Sequence, residues 1–120
     1  MDLNNPIVKL CMEGTQAEFE GKKAAACELY HQAWKAVSDD FEACIAAHYM
    51  ARCQDSPEEI LRWNREALER ANAVKDGSVK EFYPSLYLNM GHSYELLGNQ
   101  DEAKRYFDLA AELGFSHQLD

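Results

Sequence analysis

The chain has only three prolines and six glycines among 120 residues. That is too few for a collagen-like, linker-rich or low-complexity polypeptide. No apolar run approaches the length that spans a bilayer. The opening segment MDLNNPIVKL lacks a basic stretch followed by an apolar one, so a secretory leader is not expected. The four cysteines, Cys11, Cys27, Cys44 and Cys53, contain no CxxC pair and no dense framework, which predicts free thiols in a reducing cytoplasm. Basic charge is scarce as well: 12 Lys and Arg stand against 21 Asp and Glu, a formal net charge of -9. A nucleic-acid binder needs a basic face to neutralise phosphates, and an anionic membrane surface repels such a chain. Neither nucleic acid nor membrane is therefore an expected partner. The acidic excess reads as a soluble, self-repelling surface.

Hydrophobic residues at 47% and charged residues at 28% suit one globular domain over residues 1–120. Apolar residues recur at helical spacing, and strand-like alternation is absent. Six helices are expected. The first covers about Asn5 to Glu20, with Asn4 or Asn5 as cap, Pro6 in the first turn and Gly21 as stop. The second runs from Lys22 to Val37 and the third from Asp40 to Cys53. Ser56-Pro57-Glu58-Glu59 is a capping box with proline at the first helical position, opening a fourth helix that reaches Lys75. A Ser78/Glu81 box starts the fifth at Val79, with Pro84 kinking or restarting it. Asn99 and Glu102 open the sixth, which ends before Gly114.

A repeat runs through these helices. Gly14, Ala26 and Ala33 share their spacing with Gly91, Ala103 and Ala110. Small residues at such intervals predict a close helix crossing, each glycine lying against alanines of its hairpin mate. Tyr30 and Phe107 each follow the first alanine by four residues. Gly21 and Gly98 each follow the first glycine by seven, where the turn belongs.

This pattern resembles the tetratricopeptide repeat, a helix–turn–helix unit. Residues 84–117 carry it as Tyr87, Met90, Gly91, Tyr94, Gly98, Ala103, Phe107 and Ala110. Residues 7–40 carry Leu10, Gly14, Gly21, Ala26, Tyr30 and Ala33, with Ala17 in place of the usual tyrosine. Residues 41–74 are degenerate, with Cys44, His48, Ala51, Ile60, Asn64 and Ala67 at the key positions, and an insertion follows at 75–83. Either helices three and four sit farther apart there, or the register shifts and Ala47 takes the crossing. The resemblance implies an all-α solenoid of three helix hairpins in a right-handed superhelix. It implies a non-catalytic module that binds a protein or peptide in its concave groove, without a cofactor.

Groove-facing positions counted along the first helices include Val8, Cys11, Thr15, Glu18 and Phe19, then Ile45, Ala46, Tyr49, Arg52 and Cys53, then Asn89, His92 and Leu96. The binding set is taken as Thr15, Phe19, Tyr49, Arg52, Asn89 and His92. Arg52 offers a planar fork to a carboxylate or peptide carbonyls, and its alternative is pairing with a nearby acid. The clamp by which chaperone-binding members of the family hold acidic tails is absent, since Cys11, Thr15 and Ala46 occupy three of its positions.

Two other chemistries deserve weighing. Cys27/His31 and Cys44/His48 are four apart on successive helices, a zinc-compatible donor set without finger spacing. A buried thiol and a packed histidine are the favoured reading, so no metal is expected. Cys53 or Cys11 as a nucleophile lacks an oxyanion loop and an oriented base, so no enzyme is expected. Trp34 and Trp63 should fill the contact between adjacent units. The last helix has no polar cap after it and would expose Phe107, Ala111, Leu113 and Phe115. The second functional reading is therefore a homodimer through that end.

Overall fold

The architecture comes from a computed structural model that describes residues 3–114. These residues form six α-helices and no strand: α1 (Pro6–Phe19), α2 (Lys23–Ala36), α3 (Asp40–Met50), α4 (Pro57–Ala73), α5 (Tyr83–Leu96) and α6 (Gln100–Glu112). Two 3₁₀ turns, Ala51–Cys53 and Lys80–Phe82, follow α3 and precede α5. Consecutive helices pack as hairpins, α1 on α2, α3 on α4 and α5 on α6. The hairpins are joined by α2 and α1 against α3 and by α4 against α5.

Helix starts follow local side-chain chemistry. The Asn5 carboxamide oxygen accepts from the backbone N–H groups of Ile7 (2.8 Å) and Val8 (3.1 Å), and Pro6 sits where no N–H is needed. Ser56 accepts from Glu59 N–H at 3.1 Å and Asn99 from Glu102 N–H at 3.2 Å. Asp39 caps α3 by accepting from Glu42 N–H at 2.8 Å. The Asn5 side chain also donates to Glu42 at 2.9 Å, which ties the start of α1 to the start of α3.

The turns of the first and third hairpins are the same device. Gly21 (φ +79°) and Gly98 (φ +77°) adopt the left-handed conformation that closes a helix. Lys22 N–H then reaches back to Ala17 C=O at 2.8 Å, and Asn99 N–H to Tyr94 C=O at 2.9 Å. Each bond satisfies a carbonyl that the helix end would otherwise leave unpaired.

The crossings repeat as well, with a different partner from the expected one. Gly14 and Gly91 are buried, yet the groups closest to them are aromatic rings and not alanine methyls. A Cβ on Gly14 would fall 2.8 Å from Tyr30 Cδ1, and one on Gly91 2.7 Å from Phe107 Cδ1. Ala26, Ala33, Ala103 and Ala110 are all buried. In both hairpins the glycine makes room for a ring face.

The middle hairpin breaks this scheme without opening. α3 and α4 stay packed, and Ala43, Cys44, Ile45, Ala46, Ala47 and Met50 make α3 apolar nearly all round, as a central helix must be. His48, at the glycine position, turns its ring towards α5, and Ala47 is fully buried. Trp34 of α2 and Trp63 of α4 meet edge to face at 4.9 Å, joining the first two hairpins.

Several sequence expectations are corrected here. α3 ends at Met50 and α4 at Ala73. The fifth helix starts at Tyr83 and not at Val79, with Pro84 in its first turn, and no side chain caps it. Val79 is instead a buried plug, 2% exposed, in the inserted segment. A short side chain placed in the core lowers free energy more than one further helical turn does. Phe82 follows Val79 inward and its ring lies 6.2 Å from that of Phe41. The cysteines are not all free either: Cys27 of α2 and Cys53 after α3 are joined in a disulfide, their Cα atoms 5.7 Å apart. Val8, Cys11, Ile45 and Ala46, counted as groove-facing, are buried.

Candidate functional site

α3 and α5 approach each other less closely than the packed pairs do. The segment 74–82, which joins α4 to α5, connects their hairpins, and a cleft runs between the two helices. His48 Nδ1 and Asn89 Nδ2, 3.2 Å apart, bridge it. On one side is an apolar pocket of about 160 Å³, walled by Cys44, Ile45, Tyr49, Phe82 and Leu86. On the other is a mixed pocket of about 220 Å³, in which Arg52, Asn64, Asn89, His92 and Ser93 alternate with Ala51, Ile60 and Leu96. His48 belongs to the walls of both.

The polar side chains of this mixed pocket are linked to one another. Asn64 Nδ2 donates to Ser93 Oγ at 2.8 Å, and Ser93 Oγ donates to the Asn89 carbonyl at 2.7 Å. Asn64 and Ser93 are both buried, so each needs the other. An amide NH₂ can only donate, so Asn89 holds His48 Nδ1 as an acceptor and leaves the proton on Nε2. Burial, followed by the positive charge of Arg52, lowers the His48 pKa below its ordinary 6.5.

Arg52 is fixed from below. Its Nε lies 2.7 Å and one terminal nitrogen 3.1 Å from the two oxygens of Glu18, a bidentate pair that reaches from the turn after α3 to α1, so the arginine takes the alternative left open by the sequence and pairs with a nearby acid. The Tyr30 hydroxyl also donates to Glu18, and Thr15 Oγ lies 3.4 Å from that hydroxyl. The Arg52 hydrogen bonds hold the Glu18 carboxyl below its usual value. Burial, then the bond to Glu18, pushes the Tyr30 phenol up to about 12. The guanidinium has five N–H groups, so a bidentate carboxylate leaves others to face the pocket.

The residues taken from the sequence as a binding set separate into three places. Arg52, Asn89 and His92 converge on the mixed pocket. Tyr49 lines the apolar one and stacks on Tyr30 with ring centroids 5.1 Å apart. Thr15 donates to the Cys11 carbonyl at 2.9 Å, while Phe19 projects at the end of α1, 89% exposed. His92 Nδ1 lies 3.3 Å from Glu95, and its ring meets Phe107 edge to face. Of the terminal set, Phe107 is half-buried against Gly91, Ala111 and Leu113 are exposed, and Phe115 lies outside the described residues.

Glu18, His48, Asn64 and Ser93 complete the site, and a signal for two of them exists. His48 and Asn64 stand in the middle unit where Gly14/Tyr30 and Gly91/Phe107 stand in the others. Two hydrogen-bonding side chains at a crossing register imply a polar seam.

The thiol and metal alternatives meet specific chemistry. Cys27 is bonded to Cys53, His31 is exposed, Cys44 is buried and His48 Nδ1 faces Asn89. Among the described residues no three His, Cys, Asp or Glu side chains gather as metal ligands. Burial pushes the Cys11 thiol up to about 12 and Cys44 up to about 11, so neither is a thiolate near neutrality.

The histidine gives a pH signature. The unfolded chain binds a proton at His48 near pH 6.5, and the folded chain binds it only at lower pH. More protons are then bound by the unfolded state, so stability falls as pH drops below about 6.5. The Glu18–Arg52 pair contributes in a lower window, because its loss begins only as pH falls through the ordinary carboxyl value of 4.5. Urea midpoints measured at about pH 7.5 and about pH 5.5 should differ for the native sequence, with the difference reduced in His48→Gln. An equal difference in both chains would exclude His48 as its source.

No protein-family model matches the chain, and no curated protein or solved structure matches it either. No helix among the described residues is long and apolar enough to cross a membrane.

Proposed function

We propose that this chain is a non-catalytic interaction module of the tetratricopeptide type, three hairpins wound as a short solenoid. A protein or peptide segment occupies the cleft between α3 and α5. The observation that carries this reading is Arg52, held bidentate by Glu18 at the edge of a pocket that also presents Asn64, Asn89, Ser93 and His92. Pre-fixed donors lose little freedom on binding, and the adjoining pocket supplies apolar contact area beside them. Such a pairing suits a segment with a carboxylate or backbone carbonyls at one point and an apolar side chain a few ångströms away. With two cysteines bonded and two buried, the thiols supply no nucleophile. A cytoplasmic setting remains part of the proposal, although free thiols no longer argue for it at Cys27 and Cys53.

The test is capture from native lysate with identification by mass spectrometry, using the native chain, Arg52→Glu and His92→Ala. Arg52→Glu sets a carboxylate against Glu18 and should remove a specific partner while the helical circular dichroism is kept. His92→Ala alters an exposed side chain and should weaken the same partner. Partners recovered equally with all three chains would rule out the pocket as the binding site.

The second reading, self-association through the end of α6, draws on Leu113, which is 53% exposed and lines a broad depression with Ser78, Lys80 and Pro84. Under it, Leu113→Asp shifts sedimentation to the monomer, whereas Arg52→Glu leaves it unchanged. A monomer at about 0.1 mM for the native chain would remove this reading.

A further inference from the structure

We propose that the Cys27–Cys53 disulfide is a thiol–disulfide exchange site, reducible by a dithiol, whose opening frees the turn that carries Arg52. Three placements support it. First, the four cysteines fall into two classes. Cys27 and Cys53 are half-buried at the surface and bonded, while Cys11 and Cys44 are enclosed in the core. On this proposal a soluble dithiol reaches the first pair, of which Cys53 packs partly against the core, without global unfolding, and the enclosed second pair does not compete for the resulting sulfur.

Second, the bridge is tertiary and not local. It ties α2 of the first hairpin to the 3₁₀ turn that ends the first helix of the second, 26 residues on. Third, besides the bridge that turn is held by the burial of Ala51 in the core, by Cys53 packing against it, and by a few hydrogen bonds. Its closing backbone bond, Gln54 N–H to Ala51 C=O, is long at 3.4 Å. The Gln54 side chain reaches the Met50 carbonyl at 3.0 Å, and Arg52 reaches Glu18. Arg52 is the residue immediately before Cys53, so the bond holds the backbone from which Arg52 reaches Glu18.

The exchange balances simply. A thiolate of the dithiol attacks one sulfur of the bridge, forming a mixed disulfide and releasing the other cysteine as a thiol. The second thiol of the reagent resolves the mixed disulfide. The reagent leaves oxidised to its own disulfide, and Cys27 and Cys53 gain two electrons and two protons between them. The oxidised form of the same reagent class reverses the process. With the bridge open, the turn keeps its hydrogen bonds and the burial of Ala51 but loses its covalent tie to α2, which lowers the local cost of opening and loosens Arg52 from Glu18. The consequence for ligand capture rests on the cleft reading above; the exchange itself does not.

Dithiothreitol applied to the full folded chain tests this. The untreated protein should be two hydrogens lighter than its sequence mass. After treatment in native buffer, alkylation should mark Cys27 and Cys53 alone, with Cys11 and Cys44 reacting only in denaturant. Amide exchange over residues 50–56 should accelerate about tenfold while α6 is unchanged. The carboxyl titration of Glu18, followed by NMR, should move up towards its ordinary value. Cys27→Ala should reproduce the reduced behaviour and ignore dithiothreitol. A full-mass chain before treatment would overturn the proposal. So would unchanged exchange and unchanged Glu18 titration once the bridge is cut, or loss of all helical signal on reduction, which would make the bond a staple of the whole fold. No ligand is needed for these readouts. Capture that fails equally in both redox forms would count against the cleft function and leave the exchange site standing.

Discussion

Replacing Cys27 and Cys53 together by serine is expected to lower the unfolding free energy by about 3.5 kcal/mol at 25 °C. The bond closes a loop with a sequence separation of 26 residues. Removing it returns to the unfolded chain the freedom of that loop, and the chain-entropy relation for this length gives the figure above. For a helical chain of this size the loss corresponds to a melting temperature lower by about 14 °C. The double variant should still fold, because the Trp34–Trp63 contact and the packing of α1 and α2 on α3 join the same hairpins without the sulfurs. Calorimetry of the native chain, with and without a reductant, and of the double variant separates this from any effect of serine itself. Equal melting temperatures for all three would show that the bridge contributes nothing to stability.

The second large effect contrasts two substitutions that look alike in sequence. Gly14→Ala and Gly91→Ala each add one methyl group at a helix crossing, and each methyl would lie within 3 Å of ring carbons of Tyr30 or Phe107. What differs is whether the ring can yield. Tyr30 is fully buried, stacked on Tyr49, with its hydroxyl donating to Glu18. Moving it disturbs the Glu18–Arg52 pair as well. Phe107 is half-buried, with an edge contact to the exposed ring of His92. Overpacking against a fixed ring costs about 3 kcal/mol, against a movable one about 1. The alanine returns about 1 kcal/mol of helix propensity at either site. Gly14→Ala should therefore destabilise by about 2 kcal/mol, and Gly91→Ala should be close to neutral. Denaturant midpoints decide the matter. A Gly91→Ala loss as large as that of Gly14→Ala would mean that Phe107 is held as firmly as Tyr30.

These two predictions mark what could and could not be read from the chain alone. The ends of helices are local: Asn5, Ser56 and Asn99 act on amides two or three residues away, and Gly21 and Gly98 close turns by bonds within six residues. Such features are written in adjacent letters. The glycine spacing likewise located both crossings, with Tyr30 and Phe107 as the bulky residues around them, although it put alanines and not the rings nearest the glycines. The Cys27–Cys53 pairing depends on where α2 lies relative to the turn after α3, and no spacing in the sequence encodes that. Val79 was hidden for a related reason, since one apolar residue amid Lys75, Asp76, Gly77 and Ser78 carries no periodicity. Arg52, Asn89 and His92 were found by counting along helices. Glu18, which holds Arg52 in place, sits on a different hairpin, and its role emerges only when α1 and the turn after α3 are brought side by side.

The hydrogen bond between His48 and Asn89 acts as a crossbar over the cleft. On the proposed reading, a guest small enough for one compartment leaves it intact. A guest that fills both must either arch over it or displace it, exchanging an amide–imidazole contact for its own. On that reading the bar is a gauge of length: extended segments meet a threshold that compact ones never encounter, and protonating the imidazole, which its burial opposes, would remove the acceptor and lift that threshold.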